Sequence, residues 1–130
     1  MIRAFLVLIG LMYVAFGVYS LVAPTAMTAG LGVDVSGPNG TFEMRGVFGG
    51  VSLGAAILCL AGAARQDMTR PALWFLVAYM GGYCLARLGS VLLGDWPTPS
   101  TWAFVAFEAA SFILAVAALR TKPVKRKAPP

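Results

Sequence analysis

Four long apolar runs follow one another along the chain, separated by segments rich in charge, proline or glycine. The runs cover about residues 2–22, 42–64, 71–94 and 102–119. At about 1.5 Å of rise per residue, a helix of this length can cross the roughly 30 Å hydrocarbon core of a bilayer. The pattern therefore predicts an all-α fold, with residues 1–121 forming one four-helix transmembrane bundle.

The segments between the runs predict how the helices are connected. Residues 23–40 carry two prolines and four glycines, which is typical of a loop, although residues 25–31 could still form a short interfacial helix. The other two connections, near residues 65–70 and 95–99, are short. Short connections favour antiparallel neighbours, so we expect up-down-up-down order with both termini on one side.

Composition supports a membrane protein and narrows its chemistry. Hydrophobic residues make up 59% of the 130 residues, charged residues only 12%, and the mean hydropathy is +0.81. The chain has no histidine, which removes imidazole from any metal site and from most acid–base mechanisms. Cys59 and Cys84 lie inside apolar runs and not in a metal-ligand spacing. We predict no catalytic residue, no metal site and no cofactor.

Basic residues predict the orientation of the bundle. Eight of the ten fall on one side of it, and cytoplasmic flanks retain lysine and arginine during insertion, so we predict that both termini are cytoplasmic. The opposite loops carry Asp34 and Asp95 and no basic residue. The basic, proline-containing tail at 122–130 follows an apolar helix, which favours anionic lipid headgroups over nucleic acid as its partner. The eight residues are Arg3, Arg65, Arg70, Arg120, Lys122, Lys125, Arg126 and Lys127.

Small residues at four-residue spacing mark candidate helix-packing faces in the second and third helices. Such residues allow membrane helices to approach closely. They could pack inside the monomer, or they could form a face for a homo-oligomer or a larger membrane complex. The candidates are Gly46, Gly50 and Gly54 in the second helix and Gly82, Ala86 and Ser90 in the third.

Two opposite charges fall well inside the predicted helices. Arg87 precedes Gly94 by seven residues and Glu108 follows Trp102 by six, so both should lie at a similar depth. Isolated charges at such a depth are costly, and they normally face the bundle interior and find partners. We therefore predict an ion pair between Arg87 and Glu108.

Further polar residues could join this pair in one cluster that faces outward from the cytoplasm. Glu43 and Arg45 stand at the outer entrance of the second helix, and Tyr83 shares a helix face with Arg87. Such a cluster is either an ion-pair network that fixes helix register or a binding site. The candidate ligand-binding residues are Glu43, Arg45, Tyr83, Arg87 and Glu108.

Several segments resemble a bacterial family of small four-helix membrane proteins catalogued as a domain of unknown function. They are Glu-Met-Arg-Gly-Val-Phe-Gly-Gly at 43–50, Ala-Arg-Leu-Gly-Ser at 86–90 with Gly-Asp at 94–95, and Phe-Glu at 107–108. The resemblance covers about residues 5–120. It implies a multi-pass protein of the bacterial inner membrane and names no substrate.

The four-helix layout and the glycine-containing first helix that ends at Pro24 are more distantly similar to DoxX-like membrane proteins. Some of that group are linked to oxidoreductase or quinone-related systems, but a shared architecture does not establish chemistry.

Three functions follow as hypotheses. The first is binding or transport of a small or lipidic molecule at the polar cluster, the second an accessory or structural subunit of a larger membrane complex, and the third a DoxX-like redox protein.

Overall fold

The computed structural model describes residues 1–35 and 37–121, and most of these residues lie in helices and none in strands. The predicted tail at 122–130 lies outside this range. The described elements are, in chain order, α1 (Ile2–Val22), α2 (Pro24–Gly30), α3 (Gly37–Met44), a π-helix (Arg45–Gly50), α4 (Val51–Ala64), α5 (Gln66–Leu92) and α6 (Pro99–Arg120).

Four stretches of helix are long and apolar enough to cross a membrane. They are α1, the continuous helix Gly37–Ala64 that joins α3, the π-helix and α4, then α5, and α6. Large apolar side chains such as Ile57, Leu85 and Ile113 are exposed on these helices, which a lipid solvent accepts at no cost. The prediction of an all-helical, multi-pass membrane protein is thus confirmed.

Several helices begin earlier than the apolar runs suggested. In the predicted loop at 23–40, α2 agrees with the short helix allowed at residues 25–31, whereas residues 37–40 were wrongly assigned to the loop because α3 begins there. Likewise α5 begins at Gln66 and includes Pro71, and α6 begins at Pro99. Proline suits the first turn of a helix because its missing N–H would have no intrahelical partner there, which explains Pro99 at the start of α6, whereas Pro71 lies inside α5. Apolar runs define the part of each helix that meets lipid and omit its polar ends.

The turn between α4 and α5 consists of Arg65 alone. The hydroxyl of Thr69 donates to the carbonyl oxygen of Gly62 at 2.7 Å, which satisfies one of the last carbonyls of α4. The guanidinium of Arg65 also pairs with the carboxylate of Asp67 at 2.8 Å on the exposed surface. These bonds fix the two helices closely to each other at this end.

The helices pack in the order α1, α4, α5, α6, each against the next, whereas α1 and α6 make no comparable backbone approach to each other. Fully buried side chains from three helices, Leu6, Cys59 and Leu76 among them, form the core, to which α6 adds Ala115. The α1–α6 side of the bundle is therefore the least tightly closed.

The helices approach most closely at glycines other than those predicted. Around Gly46, Gly54 and Gly82, no described atom of another part of the chain lies within 4 Å of the place that a Cβ would occupy. Gly50, Gly82 and Ala86 are exposed, and Ser90 is half-buried. The prediction that these residues form close helix contacts inside the monomer does not hold, because the buried face of α4 runs through Ser52, Cys59 and Ala63 instead. The glycines in tight contact with another helix are Gly10, Gly17, Gly49, Gly62 and Gly81.

Candidate functional site

A cavity of about 400 Å³ lies between the four spans. Its wall is built from the C-terminal halves of α1 and α5, the N-terminal half of α6, the middle of the second span, and the loop after α2. The volume lies within the roughly 300–1,000 Å³ that is usual for small-molecule sites. Seven of its sixteen lining residues are aromatic, namely Tyr13, Phe16, Phe48, Tyr79, Tyr83, Phe104 and Phe107.

A two-pronged ion pair forms part of the cavity wall. Arg87 Nε donates to Glu108 Oε2 and Arg87 Nη2 donates to Glu108 Oε1, both at 3.2 Å. The Glu108 side chain is 10% exposed and that of Arg87 is 40% exposed. The planar guanidinium matches the carboxylate geometrically, so the pair is oriented as well as neutralised.

Helical spacing explains how these side chains reach the cavity. Tyr79, Tyr83 and Arg87 follow one another at four-residue intervals and therefore share one face of α5. On α6, Glu108, Ser111 and Ala115 form the buried stripe. The guanidinium carbon of Arg87 lies 5.9 Å from the centre of the Tyr83 ring, a distance at which a cation is attracted to an aromatic face.

Tyrosine hydroxyls supply the other polar groups at this face. The Tyr79 and Tyr83 hydroxyl oxygens are 3.5 Å apart, and the Tyr13 hydroxyl donates to Met80 Sδ at 3.8 Å. A thioether sulfur is a weak acceptor, so the Tyr13 hydroxyl is poorly satisfied by the protein. The Tyr13 ring packs against that of Tyr79, with centroids 6.1 Å apart.

Of the five predicted ligand-binding residues, the structure brings Tyr83, Arg87 and Glu108 together. Glu43 is exposed in α3 and does not line the cavity. Arg45 is also exposed, and its Nε donates to the carbonyl oxygen of Leu21 at 3.1 Å, at the end of α1. The sequence predicted one cluster of five residues, and the structure shows a group of three. Glu43 and Arg45 are not part of it, because they precede the part of the second span that reaches the cavity.

Two further lining residues, Tyr13 and Ser52, were missed from the sequence. Tyr13 lies on the buried face of α1 between Gly10 and Gly17, three and four residues away, and this spacing could have identified it. Ser52 carries no comparable signal, since a lone serine in an apolar run is usually an ordinary packing residue. Its place in the wall depends on the direction in which α4 faces.

The acidic and cysteine side chains do not gather into a metal site in the described ranges 1–35 and 37–121, where no group of three or more has the required proximity. Cys59 is buried in the core and Cys84 is half-buried, and both are free thiols. The cavity therefore offers a ligand apolar contact, hydrogen bonds from hydroxyl groups and the paired charges of Arg87 and Glu108.

Comparison with known proteins gives one match. Residues 1–119, which include all of the cavity wall, match the family described as Domain of unknown function (DUF4345). No curated protein and no solved structure matches the chain.

Proposed function

We propose that this chain, which belongs to the family described as Domain of unknown function (DUF4345), binds or transports a small or lipidic molecule in the cavity between its spans. The observation that carries the proposal is an apolar, aromatic cavity between the spans with Arg87 and Glu108 in its wall. A pocket with apolar walls and a few convergent polar groups is the usual form of a ligand site.

The shape of the bundle suits an amphipathic ligand. Met12 on α1 and Phe104 on α6 both line the cavity and remain partly exposed on the side where the two helices do not approach closely. In a bilayer this side faces lipid, so an apolar chain can enter without crossing water. The polar end of such a molecule would then lie near Arg87 and Glu108.

The proposal includes an orientation in the bacterial inner membrane with both termini cytoplasmic and the helices in up-down-up-down order. Arg3 lies near the start of α1, Arg65 at the turn between α4 and α5, and Arg120 at the end of α6. In an up-down-up-down bundle all three positions lie on the same side of the membrane, which agrees with the retention of basic flanks in the cytoplasm. The cavity would then lie in the periplasmic half of the bundle.

We expect a green fluorescent protein fused to the C terminus to fluoresce in a bacterial host, and alkaline phosphatase fused there to be inactive. Phosphatase inserted after Gly32, in the loop that follows α2, should be active because that loop is periplasmic in this orientation. Active phosphatase at the C terminus of the full-length chain would contradict the orientation.

Filling the cavity tests the proposed binding. Ala103 lines the cavity near its rim, whereas Ala106, one turn further along α6, is exposed and does not line it. We expect Ala103→Trp to reduce the amount of copurifying lipid or small molecule, measured by native mass spectrometry in mild detergent, by about fivefold or more. Ala106→Trp should leave that amount unchanged. Equal ligand content in wild type and Ala103→Trp would contradict the proposal.

An accessory subunit is the second candidate, favoured by the open faces of Gly46, Gly54 and Gly82. Small residues on an unoccupied helix face allow a partner helix to approach closely. Purification in mild detergent separates the two candidate functions. Gly54→Leu would remove a partner protein and leave the ligand, whereas Ala103→Trp would remove the ligand and leave the partner protein.

Recovery of a quinone as the bound molecule would favour the DoxX-like redox hypothesis.

A further inference from the structure

The chemistry of the cavity wall narrows the ligand class. We infer that the ligand has an uncharged head of alcohol or carbonyl type on an apolar body, and not a carboxylate or phosphate head. This inference rests on the proposed function and makes it more specific.

The charge balance of the cavity wall disfavours an anionic head. Arg87 and Glu108 are the charged residues among those that line the cavity in the described chain, and each neutralises the other. An anionic head that approached Arg87 would have to compete with Glu108, whose two oxygens already accept from Nε and Nη2. It would also lie close to the Glu108 carboxylate in an apolar setting, where like charges repel strongly. An uncharged head meets neither obstacle.

Hydroxyl groups in the cavity wall give a second reason for an uncharged head. Ser52 is 2% exposed and lines the cavity. Tyr13 is 8% exposed, and its hydroxyl donates to the weakly accepting sulfur of Met80. Buried polar groups normally find partners, and an alcohol or carbonyl oxygen can both accept from and, for the alcohol, donate to these hydroxyls.

The hydroxyl groups and the ion pair face the same space, because Tyr13, Ser52, Arg87 and Glu108 all line one cavity. The remaining donors of the Arg87 guanidinium can bind a neutral oxygen without separating the ion pair. The site is therefore suited to hydrogen-bond an uncharged head group and not to neutralise the charge of an anionic one.

The inference can be tested with two probes that share one acyl chain, 1-decanoylglycerol and decanoate. Binding to the full-length protein in phosphatidylcholine nanodiscs would be measured by calorimetry in alkaline buffer, where decanoate is ionised. We expect wild type to bind the glycerol ester at least about tenfold more tightly. Decanoate binding as tight as that of the ester, or tighter, would overturn the inference.

Glu108→Gln supplies the sharper test, because it leaves the positive charge of Arg87 without its partner. We expect decanoate affinity to rise about tenfold or more and the preference to disappear or invert. Glu43→Gln is the matched control, since it removes the same charge from an exposed position outside the cavity and should leave the preference unchanged. Equal preferences in the two variants would contradict the inference.

Ser52→Ala keeps the test open should Glu108→Gln fail to fold. We expect it to weaken binding of the glycerol ester about threefold or more, and to leave that of decanoate unchanged. An equal loss for both probes would overturn the role of the hydroxyl. If neither probe binds while Ala103→Trp still displaces a copurifying ligand, the head-group inference fails and the proposed function stands. If Ala103→Trp displaces nothing, the proposed function fails as well.

Discussion

Replacing Gly62 with alanine is expected to lower the free energy of unfolding by about 1–3 kcal/mol, the usual cost of overpacking a tight contact. The new Cβ would lie 2.5 Å from the Cβ of Ala72, 3.1 Å from the carbonyl oxygen of Met68 and 3.3 Å from Leu6 Cδ1. The first two atoms are fixed by the backbone of α5 and cannot rotate away. The helices α4 and α5 must therefore separate, and the contacts around them are lost.

Gly54→Ala is the matched control for this variant, because it lies on the same helix and its added Cβ would have no described neighbour within 4 Å. Alanine is favoured over glycine in a helix interior by about 0.5–1 kcal/mol, so this variant should be as stable as wild type or more so. Unfolding would be followed by circular dichroism during titration with denaturing detergent. Equal stability of the two variants would contradict the close α4–α5 contact at Gly62.

Breaking the Arg87–Glu108 pair is expected to cost about 1–3 kcal/mol for either single alanine variant, less than for a fully buried pair because the Arg87 side chain is 40% exposed. Each single variant leaves one charge in the bundle without its partner. The double variant removes both charges, so its loss should be smaller than the sum of the two single losses. The free energies of unfolding of all four proteins form a double-mutant cycle that measures the coupling.

The control is the Arg65–Asp67 pair, whose side chains are 69% and 64% exposed. A cycle on this pair should give a coupling of only about 0–0.5 kcal/mol, as exposed ion pairs usually do. If the coupling between Arg87 and Glu108 is no larger than that of the control, the two side chains do not form a stable pair in the folded protein. Arg87 would then be free to bind an anion, which also bears on the head-group inference.

The four spans could be predicted because bilayer thickness fixes the length of an apolar helix. The pairing of Arg87 with Glu108 could be predicted from the same geometry, since the rise per residue is constant along α5 and α6. The sequence did not reveal the start of α5, because Gln66 and Asp67 are as polar as loop residues and Pro71 usually marks a helix boundary. Hydropathy finds the lipid-facing part of a helix and says little about its polar ends.

Packing of the predicted glycines inside the monomer and the five-residue cluster were not found, for a different physical reason. Four-residue spacing shows that Gly46, Gly50 and Gly54 would share one face of a regular helix, but not the direction in which that face points. The π-helix at Arg45–Gly50 also changes the turn length, and hence the faces, in a segment that was treated as regular. Neither the direction of a face nor a π-helix can be read from residue spacing alone. In the structure the face that packs against α1 contains Gly49, where an added Cβ would lie 2.7 Å from Leu21 Cδ2.

The single-residue turn at Arg65 also limits how the bundle can move. A joint of this length, with Thr69 bonded to Gly62 and no room for a Cβ at that glycine, prevents α4 and α5 from sliding or tilting past each other. Displacement of helices requires an interface that can rearrange, and the α1–α6 side is the one that lacks close backbone contact. We therefore expect α4 and α5 to act as a fixed frame. Any widening that admits a molecule to the cavity would then occur on the α1–α6 side.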